Sequence, residues 1–197
     1  MKDDLQLSWE RFLNPEILRT NLIVASLYLT AFEILKENIS ERVKDFYSLG
    51  FSQDGPIIKE ENETEVLTRN RSPLYASLSW LKDMDTIDKN DIEKFDKIKA
   101  CRNELAHEIT NFISKEAKLD PLPLFKDMID LLEKIEKWWI LNVETPINPD
   151  FNGKKIDKDN IIPGPIITLR VLAQIALGTA EESRFYWKEW KKKPKDI

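Results

Sequence analysis

Residues 14–37 read NPEILRTNLIVASLYLTAFEILKE, and this stretch decides the fold. Asn14 is a candidate N-cap, and Pro15 suits the first turn of a helix, where its missing N–H has no partner to lose. The apolar residues that follow are spread around nearly the whole helix: Leu18, Leu22, Val24, Ala25, Leu27, Leu29, Phe32 and Leu35. Because such a helix must be buried on several sides, the stretch predicts the central helix of a bundle.

Helical periodicity continues outward from this stretch through most of the chain. The pattern predicts helices over 15–37, 40–49, 73–84, 88–115, 121–141 and 165–177. Ser40 is the predicted start of the second helix and Gly50 marks its end. The polar stretches 52–72 and 145–165 lack a helical period, and a short hairpin is a candidate in each. The predicted fold class is therefore all-α, an antiparallel bundle of about five to six helices with two polar loop excursions.

Composition restricts the classes of protein and of site. Hydrophobic residues make up 42 % of the 197 residues, which predicts a globular domain. The 30 Lys and Arg residues against 35 Asp and Glu give a formal charge of −5. This charge argues against a nucleic-acid-binding surface spread over the whole protein, although it allows a local basic groove. One cysteine and one histidine exclude an intrachain disulfide and argue against a conventional metal site, so no metal or cofactor is expected.

The sequence indicates neither a secretory signal nor a membrane span. The first residues, MKDDLQLSWERF, carry acids where a signal peptide carries bases. The longest apolar runs, 21–32 and 166–177, are interrupted by polar residues and are shorter than the roughly 18 residues of a span. We therefore expect a cytoplasmic protein with no membrane partner.

The only histidine lies in the run Arg102-Asn103-Glu104-Leu105-Ala106-His107 on the helix predicted over 88–115. On a helical wheel centred on Ile98, Asn103 falls at about 140° and His107 at about 180°, so both share a polar face. Arg102 falls at about 40°, inside the stripe predicted to be buried. The members of this stripe are Phe95, Ile98, Leu105, Ile109, Phe112 and Ile113, and Cys101 borders it as a predicted core residue.

The position of Arg102 leaves three explanations open. It pairs with an internal carboxylate, it extends to the edge of the stripe, or the helix is distorted so that it reaches the histidine's side. A regular helix alone would leave Arg102 and His107 poorly aligned.

These residue types suit metal-independent cleavage of RNA by attack of a 2′-hydroxyl on the adjacent phosphate. The imidazole of His107 titrates near neutrality and can act as general acid or base. The guanidinium of Arg102 can stabilise charge on the phosphate oxygens, and Asn103 can orient the imidazole. One histidine cannot fill both proton-transfer roles at once, so the activity favours a homodimer that shares one site.

The same run resembles the Arg-x4-6-His signature of the HEPN superfamily, in its Arg-Asn-x-x-x-His form. The resemblance covers a core at about 9–141 and does not account for the additional helix and tail over 142–197, within a chain whose length fits a single helical domain over 1–197. The resemblance implies a dimeric, metal-independent endoribonuclease of phage defence, toxin–antitoxin or stress response. Arg102 and His107 would then be catalytic and Asn103 supporting. RNA, a second copy of the chain, and an antitoxin or other regulatory protein are the implied partners.

Two further interpretations stand beside this one. Some HEPN domains have no nuclease activity, so a non-catalytic helical module that binds nucleotide, RNA or a partner protein is the alternative function. The tail, residues 184–193, mixes aromatic and basic side chains, and Lys191, Lys192 and Lys193 are candidate RNA-binding residues. The tail is equally consistent with an amphipathic cap on the bundle or a membrane-surface segment.

Overall fold

The computed structural model describes residues 2–107, 120–154 and 156–192. Helices dominate this part of the chain, as the fold class predicts. The helices are α1 (Lys2–Leu13), α2 (Pro15–Phe46), α3 (Pro73–Asp83), α4 (described over Lys89–His107), α5 (Pro121–Trp139), α6 (Gly164–Leu177) and α7 (Ala180–Lys192). A two-stranded hairpin, β1 (Ser48–Ser52) and β2 (Gly55–Ile58), follows α2.

The central helix α2 is longer than the sequence predicts. Its start is as expected, because the Asn14 side chain accepts hydrogen bonds from the backbone N–H of Glu16 and Ile17 at 3.0 and 3.3 Å. The predicted break before Ser40 is wrong, since the helix continues through Ser40 to Phe46. Apolar contacts on both sides of that position override the start signal, and α2 buries seven residues: Ala25, Tyr28, Ala31, Phe32, Leu35, Ile39 and Val43.

The two polar excursions are built differently from each other. The first contains the hairpin, which begins at Ser48, so Gly50 lies in a strand with φ +142° instead of ending a helix. It continues through a π-helical turn, Asn62–Val66. The second consists of helical turns and irregular backbone, and its described residues contain no strand. Gly153 has φ +72°, a left-handed conformation that suits a tight turn, but the candidate hairpin of this stretch is not found among its described residues.

Helices α4 and α5 pack against each other in opposite directions. The ion pairs Lys94–Asp127 and Lys134–Asp91, at 3.8 and 2.5 Å, run in opposite order along α4 and α5, so these helices are antiparallel.

The end of the core near the hairpin is aromatic. There the rings of Trp80 and Trp139 stack at 5.9 Å with an interplanar angle of 14°. Phe46, Tyr47 and Trp138 surround them.

An ion pair with a buried carboxylate joins α2 to α5 at the edge of this core. Arg42 Nη2 lies 2.8 Å from Glu136 Oε2, and the Glu136 side chain is only 1 % exposed. The other terminal nitrogen of Arg42 binds Glu144, in the turn that follows α5. Burial raises the pKa of the Glu136 carboxyl, and the charge of Arg42 opposes this effect. Arg42 therefore neutralises a carboxylate that the helices have removed from water.

By length and composition, α2 could cross a membrane, contrary to the sequence expectation that no segment approaches such a span. A helix at the centre of a soluble bundle meets the same criterion. In this structure, α2 contributes residues from Ala25 to Val43 to the core.

Candidate functional site

The buried stripe of α4 is confirmed as far as the structure describes it. Phe95, Ile98 and Leu105 are 2 % exposed or less, and Cys101 is buried between them as predicted. The remaining predicted members of the stripe lie outside the described residues: Ile109, Phe112 and Ile113. The stripe fixes the rotation of α4 in the bundle and so determines which side the motif presents.

Asn103 and His107 lie on the solvent side of α4. Both are exposed, and they are one helical turn apart, as the wheel predicts. A solvent-facing imidazole is open to a ligand from outside the protein.

Arg102 extends from the buried stripe to its edge. Its guanidinium lies over the Phe32 ring, with 5.4 Å from Cζ to the ring centroid. Its Nη2 donates a hydrogen bond of 2.9 Å to Oε1 of Glu33 on α2. The Arg102 and Glu33 side chains are 30 % and 47 % exposed. The partner is thus a carboxylate at the surface instead of an internal one, and the arginine packs its stem on apolar atoms with its head toward water.

The guanidinium of Arg102 is also connected to the polar face of α4. Its Nη1 donates to the Asn103 side-chain oxygen at a long distance of 3.4 Å. The Nε atom is buried and has no acceptor among the described residues. The reach of the side chain, rather than a helical irregularity, brings the cation beside the face that carries Asn103 and His107.

Glu33 and Lys36 extend the cluster along α2. Lys36 Nζ lies 2.9 Å from Glu33 Oε2, the carboxylate oxygen that Arg102 leaves free. The hydrogen bond from Lys36, followed by that from Arg102, lowers the pKa of the Glu33 carboxyl. Sequence reasoning missed both residues. Glu33 interrupts the apolar stretch of α2, which was a signal, but nothing in the sequence indicated that it faces α4.

A second polar group lies toward the start of α4 on the same side. The Tyr75 hydroxyl, from α3, donates a hydrogen bond of 2.6 Å to Asp96. Lys99 Nζ lies 4.5 Å from the centroid of the Tyr75 ring. Burial and, to a lesser extent, Asp96 raise the pKa of Tyr75 to about 12, so the phenol stays protonated at neutral pH. Lys99 precedes Asn103 by one turn and adds positive charge beside the motif.

Two of the candidate lysines of the tail, Lys191 and Lys192, lie on α7, which packs mainly on α6. The Tyr186 hydroxyl anchors α7 by a 3.0 Å hydrogen bond to Gln174. Lys191 lies over the Trp187 ring at 4.5 Å, and Lys192 pairs with Glu189 at 2.5 Å. Lys193 lies outside the described residues. The tail thus forms an amphipathic helix, and α4 is not its main packing partner.

No protein-family model matches the chain, and no curated protein or solved structure matches it. The resemblance to HEPN domains therefore rests on the run from Arg102 to His107 and its place in a helical bundle. Within the residues that the structure describes, no group of three or more histidine, cysteine or acidic side chains could hold a metal ion.

Proposed function

We propose that the protein is a metal-independent endoribonuclease of the HEPN type. The observation that carries the proposal is the arrangement at the described end of α4. Exposed Asn103 and His107 share one face there, and Arg102 reaches that face with a hydrogen bond to Asn103. A titratable imidazole, a fixed cation and an amide are thus available to one ligand from the same side.

Each residue has a separate task in the proposed reaction. A 2′-hydroxyl oxygen attacks the adjacent phosphorus, and the 5′-oxygen leaves with a proton. His107 transfers one of the two protons, and Arg102 stabilises the added negative charge on the phosphate oxygens. Asn103 orients the imidazole or donates to a phosphate oxygen. The products are a 2′,3′-cyclic phosphate and a 5′-hydroxyl.

The proposal includes a homodimer. The chain has one histidine, while the reaction needs both a base and an acid. Two copies related by a two-fold axis would bring two imidazoles to one RNA strand. A role in phage defence, toxin–antitoxin systems or stress, with a regulatory partner protein, follows from the resemblance and belongs to the same proposal.

RNA cleavage in excess chelator tests this function. We expect His107→Ala and Arg102→Ala each to lower the cleavage rate by roughly 10²- to 10⁴-fold, the usual contribution of a positioned acid–base or electrostatic group. Arg170→Ala is the matched control, because Arg170 is an exposed arginine on α6, 57 % exposed and 3.8 Å from Glu133. If both motif variants cut as fast as the parent, the assignment is wrong.

A second candidate function is a non-catalytic module that binds nucleotide, RNA or a partner protein. The observation that favours it is the ion pair between the Arg102 guanidinium and Glu33. This function predicts that RNA binds with an affinity that depends on Arg102, while no cyclic phosphate product accumulates.

A further inference from the structure

Glu33 is bound by a different cation at each of its two carboxylate oxygens. Oε1 accepts from Arg102 Nη2 and Oε2 accepts from Lys36 Nζ, each at 2.9 Å. Lys36 and Glu33 belong to α2, whereas Arg102 comes from α4. The two helices thus hold two cations around one small anion.

A backbone phosphate has the same recognition chemistry as this carboxylate. Its two non-bridging oxygens share one negative charge, as the oxygens of a carboxylate do. A guanidinium and an ammonium group are the two side-chain cations that proteins use to bind such oxygens. The Lys36 and Glu33 side chains are 48 % and 47 % exposed, so an external anion has access to the position.

We propose that Lys36 and Arg102 form a subsite for one backbone phosphate of single-stranded RNA, and that Glu33 occupies this subsite until the phosphate displaces it. This inference rests on the proposed function, because it assigns substrate to the Arg102 side of the same site. It adds Lys36 as a substrate-binding residue and Glu33 as a competitor built into the chain.

The contacts around Glu33 favour displacement. Water screens exposed ion pairs, so they hold their partners weakly. The Nε atom of Arg102 has no acceptor among the described residues, so hydrogen bonds do not fully fix the guanidinium. Lys36 and Arg102 also keep Glu33 ionised by lowering its pKa. Glu33 therefore competes as an anion throughout the neutral pH range, and its neutral amide analogue should compete less.

The test compares Glu33→Gln and Lys36→Gln with a matched pair on the same helix. Lys44 and Glu41 have the same spacing in sequence, lie 3.7 Å apart and are 45 % and 60 % exposed. Glu41→Gln and Lys44→Gln therefore make the same changes of charge at an ion pair that does not include Arg102. The probe is a short single-stranded RNA with every 2′-hydroxyl methylated, which cannot be cleaved. Fluorescence anisotropy gives its Kd at several salt concentrations.

We expect Glu33→Gln to tighten binding and Lys36→Gln to weaken it, each by roughly three- to tenfold relative to the parent. Lys36→Gln should also reduce the slope of log Kd against log salt by about 0.7, the loss of one phosphate contact on a single strand. In an Arg102→Ala background both effects should shrink to those of the controls. Thermal unfolding of each variant verifies that the fold is retained.

The subsite is wrong if Glu33→Gln binds no tighter than Glu41→Gln, or if Lys36→Gln binds as tightly as Lys44→Gln. Cleavage of unmodified RNA separates this failure from failure of the proposed function. Cleavage that depends on His107 without the binding differences overturns the subsite alone. The binding differences without cleavage in any variant overturn the nuclease and support the subsite. Absence of binding by the parent and all four variants overturns the subsite.

Discussion

Arg42 and Arg102 each pair with a glutamate on a neighbouring core helix, but the two glutamates differ in how deeply they are buried. Arg42 binds Glu136, which is 1 % exposed, whereas Arg102 binds Glu33, which is 47 % exposed. Removing the partner of a buried charge leaves that charge without compensation, while an exposed charge recovers its interactions with water. The two arginines are similarly exposed, at 31 % and 30 %, and only Arg42 has a buried partner, so we expect Arg42 to stabilise the fold more than Arg102 does.

The largest effect is expected from Arg42→Ala. We expect the free energy of unfolding to fall by about 3–5 kcal/mol, because Glu136 stays in the core without its counter-ion. Urea unfolding followed by circular dichroism measures the change. Lys44→Ala, two residues closer to the hairpin and exposed on the surface, is the control and should change stability by no more than about 0.5 kcal/mol. A loss below about 1 kcal/mol for Arg42→Ala would remove the contrast between the two arginines.

A smaller change is expected in the stability of Glu136→Gln relative to the parent as the pH is varied. The folded state raises the pKa of Glu136, so this carboxyl favours the folded state most at a pH below its unfolded pKa. That contribution is lost as the pH rises through the folded pKa. We therefore expect the stability of Glu136→Gln, measured relative to the parent, to improve from pH 4 toward pH 7. Urea unfolding across this range tests the sign, and a relative stability that declines with pH would contradict it.

The smallest change in stability is expected from Arg102→Ala. An exposed ion pair contributes about 0–1 kcal/mol, and the loss of the guanidinium's contact with the Phe32 ring adds a term of similar size. Urea unfolding should therefore place this variant within about 2 kcal/mol of the parent, whereas the proposed RNA cleavage should slow by roughly 10²- to 10⁴-fold. A loss of unfolding free energy as large as that expected for Arg42→Ala would show that Arg102 is a structural residue.

Much of the fold could be predicted because apolar spacing sets which side of a helix is buried. The buried side of α4 followed from Phe95, Ile98 and Leu105 alone. The continuity of α2 could not be predicted, because the polar signal at Ser40 is local and the contacts that override it come from other helices. Helices α1 and α7 were not identified as helices either. Both have many exposed apolar side chains, and the tail pattern fitted several interpretations.

In the candidate site, too, the features set by helical spacing could be predicted, and those set by contacts with another helix could not. The shared face of Asn103 and His107 depends only on helical geometry, and the structure has it as the wheel predicts. The position of the Arg102 guanidinium depends on Phe32 and Glu33, which are far away in sequence. A single sequence without an alignment contains no signal for such a contact between helices.

The stacked Trp80 and Trp139 rings also give the protein an internal optical reporter. Two indoles held 5.9 Å apart and almost parallel couple their electronic transitions, and the resulting near-ultraviolet circular dichroism depends on that fixed geometry. One ring belongs to α3 and the other to α5, so the part of the signal that comes from this pair reports on the packing of these two helices. Trp9, Trp187 and Trp190 are more than half exposed and should contribute the red-shifted part of the fluorescence. Docking of α3 on α5 can therefore be followed without an added label.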